Sequence, residues 1–223
     1  MAQTAKITRT EDAYARLKHM ILEAKLAPGY QALEPEIALE LGMSRTPVRE
    51  ALIRLEAEGL VDVMARRGVR VLPIKPSDMA EIYQILSTLE PEAAAQIAAR
   101  SPSAEELAPL SAATTQMEDA LAQKDLETWA AADDLFHRTL LDLHGNSRMR
   151  GFVTSLYDQA HRARMVTLRL RPLPVRSTQD HRNILQHMAE GNVRATRRAF
   201  KSHRKTAATE LLGILETYHL LQL

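Results

Sequence analysis

The sequence predicts a mainly α protein in two parts, a helical head carrying one β-hairpin and an all-α antiparallel helical bundle behind it. Three observations predict it. The run Leu41-Gly42-Met43-Ser44-Arg45-Thr46-Pro47-Val48-Arg49-Glu50-Ala51-Leu52 is laid out as one helix turning sharply into another. Two short apolar segments, 60–64 and 69–72, stand either side of Ala65-Arg66-Arg67-Gly68, the pattern of two strands around a tight turn. At Pro73-Ile74-Lys75-Pro76-Ser77-Asp78 the strand-like pattern stops and helical periodicity takes over, which sets a domain boundary and divides the chain into 1–75 and 76–223.

In the head, Pro35 opens a short helix that runs to Leu41. Gly42 can take the positive φ that a sharp turn needs, and Ser44 can cap the next helix by accepting a bond from an early backbone N–H. On that helix Val48, Ala51, Leu52 and Leu55 recur at three- and four-residue spacing and make the buried stripe, leaving Arg45, Thr46 and Arg49 outside. Two guanidiniums and a hydroxyl on a first helical turn suit a major groove, because Arg donates two hydrogen bonds to guanine O6 and N7. Any solvated helix face carries charges too. The hairpin tips the reading toward DNA, since beside such a helix it forms a wing that places Arg66 and Arg67 near phosphates or a minor groove. The expected first part is a winged helix-turn-helix, and its expected partner is double-stranded DNA.

In the bundle, Asp78 with Glu81 can cap a first helix that carries Ile82, Leu86, Leu89, Ala93 and Ile97 on one face. Ser103 with Glu106 repeats the capping-box spacing before Leu107, Leu110 and Met117. Further helices are expected at about 127–143, 147–170, 175–190 and 193–220, turning at Gly145-Asn146 and Gly191-Asn192. Asp133 and His137 lie at i and i+4 and share one helix face. His181 and His203 stand 10 and 12 residues from Gly191, roughly 15 and 18 Å from the hairpin tip at the α-helical rise, so they can face each other across adjacent helices. From spacing alone these four are either a site for a divalent metal such as Zn²⁺, Ni²⁺ or Mn²⁺, or a surface pair and two ordinary histidines.

Composition narrows the classes. The 223 residues are 45% hydrophobic and hold no Cys, which excludes disulfides and thiolate metal sites and suits a reducing cytoplasm. No apolar stretch is long enough to cross a membrane. Of 29 Lys and Arg and 28 Asp and Glu, the first 75 residues hold 12 and 10, leaving 17 and 18. With so slight a basic excess, specific geometry rather than bulk charge must carry DNA binding.

Residues 10 to about 74 resemble the DNA-binding domain of the GntR family of bacterial regulators, through the run 44–52, Leu55-Glu56-Ala57-Glu58-Gly59-Leu60-Val61 and the Arg67-Gly68 wing tip. The resemblance implies DNA contacts from Arg45, Thr46, Arg49, Gly68 and its neighbours. Some members place an Arg early in the preceding helix, where this chain has Pro35 between Glu34 and Glu36. Residues 77 to 220 resemble the FCD effector domain of the FadR subgroup, in which an Asp-x-x-Phe-His pattern and two later His bind a metal. Asp133, His137, His181 and His203 match those positions. Members carrying Arg-x-x-Leu-Glu in the first helix bind a small organic acid through that Arg, whereas this chain reads Leu86-Ser87-Thr88-Leu89-Glu90. A carboxylate effector would then be held by the metal, or by Arg162 or Arg164 if those are not simply solvated. The resemblance implies a homodimeric, ligand-responsive regulator on an inverted-repeat operator; the alternative is a metalloenzyme with an accessory head.

Overall fold

The computed structural model describes residues 7–65 and 67–218, and the chain divides into two compact units that meet between Ile74 and Lys75. The first unit contains α1 (Arg9–Leu22), β1 (Gln31–Ala32), α2 (Glu34–Leu41), α3 (Arg45–Ala57), β2 (Val61–Met64) and β3 (Gly68–Val71). Its antiparallel sheet has the order β1-β3-β2, with Val61 opposite Val71 and Met64 opposite Gly68. Ala13, Leu17 and Ile21 of α1 join Val48, Leu52 and Leu55 of α3 and Val69 and Val71 of β3 in one core. The patterns above do not mark α1 or β1. The apolar stripe of α1 is only three residues deep, and β1 is only two residues long.

Gly42 closes α2 at φ 66°, as the turn requires. Ser44 occupies the N-cap of α3, yet its side chain accepts no hydrogen bond. Pro47 at the third helical position has no N–H to offer, which removes one of the two donors that an N-cap side chain can use.

The second unit contains α4 (Pro76–Ala99), α5 (Ala104–Ala122), α6 (Leu126–His144), α7 (Ser147–Thr167), α8 (Val175–Ala189) and α9 (Val193–Thr217), with a 3₁₀ turn at Leu168–Leu170. Helix α4 starts a turn earlier than an Asp78 cap would give, with Pro76 in the first turn and Lys75 at the N-cap. The pyrrolidine ring presets the helical φ, and Asp78 instead lies inside the first turn, where the helix dipole favours its charge. The Ser103–Glu106 capping box forms in both directions. Helix α7 stops at Thr167 rather than 170, tightening into the 3₁₀ turn ahead of Pro172 and Pro174. Ile97, Leu110, Met117, Phe136, Ile184 and Phe200 are each fully buried in one core, and each contributes on the order of 1.5–3 kcal/mol relative to exposure. Leu86 and Ile97 are wholly covered within the chain itself, and Leu89 is half-buried. Leu86 and Ile97 therefore need no second copy to hide them.

Candidate functional site

Each unit holds one group of chemically equipped side chains. In the head, α3 is tied to α1 along one flank: Thr10 Oγ1 donates to Glu50 at 2.7 Å, Arg54 pairs with Glu11 at 2.8 Å, and Glu58 accepts from Tyr14 and Lys18. That fixes how α3 is rotated. Arg45, Thr46 and Arg49 are left exposed, and Arg45 reaches Glu34 only at 4.0 Å. Arg45 and Arg49 share a concavity of about 520 Å³ with Val63, Met64 and Gly68, so helix and hairpin present one continuous surface. Gly68 takes φ 86°, and a Cβ there would stand 2.2 Å from the carbonyl oxygen of Ala32. Only glycine lets the hairpin lie against β1. Arg67 is exposed at the turn, and Arg66, the other cation expected at that tip, lies outside the described residues.

In the bundle, Asp133 and His137 on α6, His181 on α8 and His203 on α9 converge in the interior. All four are buried, and one potential ligand atom from each lies within 4.8 Å of the others. His137 Nε2 and His181 Nε2 are 3.4 Å apart, and Asp133 Oδ1 is 3.5 Å from His181 Nε2. Two imidazole nitrogens bound tetrahedrally at about 2.0–2.1 Å would stand about 3.3 Å apart, so the donor set fits a first-row divalent ion. It fits by protonation as well. Burial, then nearby Arg204, pushes the His137 imidazole well below the ordinary histidine range. Burial, then His203, brings His181 down to about 3. Neutral imidazoles are what a metal requires. Burial opposes ionisation of Asp133, but the Arg164 guanidinium outweighs it and holds the carboxyl far below its usual range.

A surrounding layer orients these groups. Ser177 O lies 2.7 Å from His181 Nδ1, which turns Nε2 toward the cluster. Glu90 Oε1 sits 2.9 Å from His137 Nδ1, and Glu90 also receives Tyr157 Oη at 2.7 Å and both arms of Arg204, Nη2 at 2.6 Å. Arg164 Nη2 is 2.8 Å from Asp133 Oδ2. Arg164 also lines a small cavity with Asp133, His203, Tyr83, Ser177 and Arg171. Arg162 is buried but does not line that cavity. Neither arginine is solvated, and the choice between solvent and ligand overlooked the ion pair that Arg164 makes.

Sequence reasoning missed Glu90, Tyr157, Arg204 and Arg171. Glu90 left one trace: it stands four residues from both Leu86 and Ala94 in a helix whose other inward positions are apolar. An ionisable residue there must be paired.

The head is a winged helix-turn-helix and the second unit an all-helical domain with a buried ionisable centre. Residues 9–71 match the gntR family of bacterial regulatory proteins and residues 81–206 match the FCD domain. The chain belongs to that family and carries an FCD domain. An HTH-type transcriptional regulator from the TAR-I ttuE-ttuC' intergenic region of Agrobacterium vitis is 44% identical over 135 residues, 60% of this chain and 79% of the relative. One from an unstable DNA locus of Streptomyces ambofaciens is 33% identical across 91% of this chain and 85% of the relative. A GntR regulator structure from Rhodococcus sp. RHA1 has the same fold, with a TM-score of 0.82 at 24% identity over 92% of this chain and 98% of its own. The chain is a DNA-binding transcriptional regulator, and its relatives are regulators rather than enzymes.

Proposed function

We propose that the chain is a cytoplasmic, ligand-responsive regulator of a metabolic operon that binds an inverted-repeat operator as a homodimer and senses a small carboxylate beside a bound divalent metal, Zn²⁺, Ni²⁺ or Mn²⁺. Arg45, Thr46 and Arg49 read bases from the major groove, and Arg66, Arg67 and Gly68 bring the wing to the backbone. Asp133, His137, His181 and His203 hold the ion. When bound, it supplies a Lewis-acidic pole for a ligand oxygen.

The observation that carries this reading is the buried set of three imidazoles and one carboxylate, of which Asp133 and His203 line a cavity. Such a set links three helices, so metal and ligand together can shift the population of domain arrangements that present two reading heads to two half-sites. The test selects an operator from random duplex DNA and measures its affinity by fluorescence anisotropy, with metal-loaded and chelated protein, across a panel of small carboxylates. A carboxylate that changes operator affinity tenfold or more for loaded protein alone supports the reading. An affinity indifferent to metal and to every carboxylate overturns the sensing half and leaves the DNA-binding half standing.

A further inference from the structure

Three arginines line the cavity beside the buried centre, and two are committed. Arg164 faces Asp133 at 2.8 Å, and Arg204 grips Glu90 with two nitrogens. Arg171 differs. It follows the 3₁₀ turn, in the strap that joins α7 to α8, and its Nε donates to Thr167 Oγ1 at 3.2 Å. Its Nη2 is buried with no hydrogen-bond partner, and among the described residues no carboxylate lies at ion-pair distance from it. A guanidinium whose terminal nitrogen is desolvated and unpaired is costly to keep, and the cost falls when an anion supplies the missing acceptor. Thr167 anchors one side of the fork, leaving an Nη edge for an incoming oxygen. The neighbouring Pro172 and Pro174, which also line the cavity, restrict how far the strap can wander from it.

We infer that Arg171 is a second anion anchor in the ligand cavity, so that the ligand is a short dicarboxylate with one carboxylate at the Asp133/His centre and the other on Arg171. This rests on the proposed metal-assisted sensing site. Of the cavity's other charged lining, Asp180 and Glu210 are acidic and Arg164 and Arg204 are paired, which leaves the metal centre and Arg171 to receive anions, and a monocarboxylate can satisfy only one. Its free volume is about 30 Å³, a little above the roughly 10–15 Å³ that one water needs. A ligand seated there must therefore be short.

The experiment titrates acetate, malonate, succinate and glutarate, with phosphate as an inorganic control, into metal-loaded full-length protein by calorimetry and thermal melting. The proteins are the parent, Arg171→Ala, Arg171→Lys and Arg169→Ala, the last altering an exposed arginine of the same strap. Metal content is measured on every sample. One dicarboxylate should bind the parent at least tenfold more tightly than acetate. Arg171→Ala should bring it down to the acetate level with metal content unchanged, Arg171→Lys should recover part of the preference, and Arg169→Ala should bind like the parent. The inference is overturned if Arg171→Ala keeps the dicarboxylate preference, or if acetate or phosphate matches every dicarboxylate. Should Arg171→Ala melt early, Arg171→Lys decides: a dicarboxylate preference kept in part with a parental melt supports the anchor, and equal binding of acetate overturns it. A protein that holds no metal but still shows an Arg171-dependent dicarboxylate preference would sink the metal reading and leave the anchor intact.

Discussion

Burial of Glu90 and Arg204 together makes each the other's condition for being inside. With Glu90 fully buried and Arg204 nearly so, Glu90→Ala leaves a guanidinium without its counter-charge and should cost about 3–5 kcal/mol of stability, read from urea midpoints. Glu90→Gln keeps the shape and an acceptor, and should cost less. On the reading surface, Arg45→Ala or Arg49→Ala should each cost about 1–3 kcal/mol of operator affinity and relax discrimination at one base pair, whereas Arg67→Ala should weaken all sequences evenly and flatten the salt dependence by about one unit of slope. Equal affinity of Arg49→Ala and the parent for the selected operator would remove Arg49 from that surface. Asp133 and His137 were legible at this scale because i, i+4 spacing is geometry written in the sequence. Arg171 was not. Its meaning depends on what fails to reach it, and absence of a partner leaves no trace in a pattern of residues.

Among the elements, α6, α8 and α9 meet at the four-residue centre, so an ion bound there cross-links them. Binding to the folded state alone stabilises it by about 2.7 kcal/mol at a hundredfold excess over Kd. Chelator should lower the melting temperature of the second unit, and His203→Ala should abolish most of that sensitivity; a chelator shift unchanged in His203→Ala would contradict the site. Acidity should act on the metal-free protein in a defined direction. The His181 imidazole takes a proton near pH 6.5 when unfolded but only at about 3 when folded. Between those values the unfolded state binds more protons, so stability is lost as pH falls through that window. The urea midpoint of chelated protein should be lower at pH 5 than at pH 7.5, with a smaller difference in His181→Gln. Helix periodicity made most of these elements readable. Caps were less so: Ser44 was defeated by Pro47 three residues on, and the start of α4 was taken over by Pro76. A cap draws on one or two early donors, and one proline removes a donor or moves the helix start.

For the molecule as a whole, the two-part organisation was legible because the change of periodicity at 73–78 coincides with a change of architecture. Assembly was less legible, since Leu86 and Ile97 on the apolar face of α4 are core within one chain and point to no partner. The homodimer then rests on the operator's twofold symmetry. Light scattering should give twice 25.0 kDa, about 50 kDa, at micromolar concentration; a single-chain mass that does not change when operator is added would refute it. The contact of Gly68 with the backbone of Ala32 carries a lesson for anyone wishing to redirect this protein to another promoter. Position 68 is dictated by the head's own main chain whatever it also offers to DNA, so a library that varies it would mostly yield broken heads. Diversity placed at 45, 46 and 49 alters the outward face of α3 while the frame that aims it stays as it is.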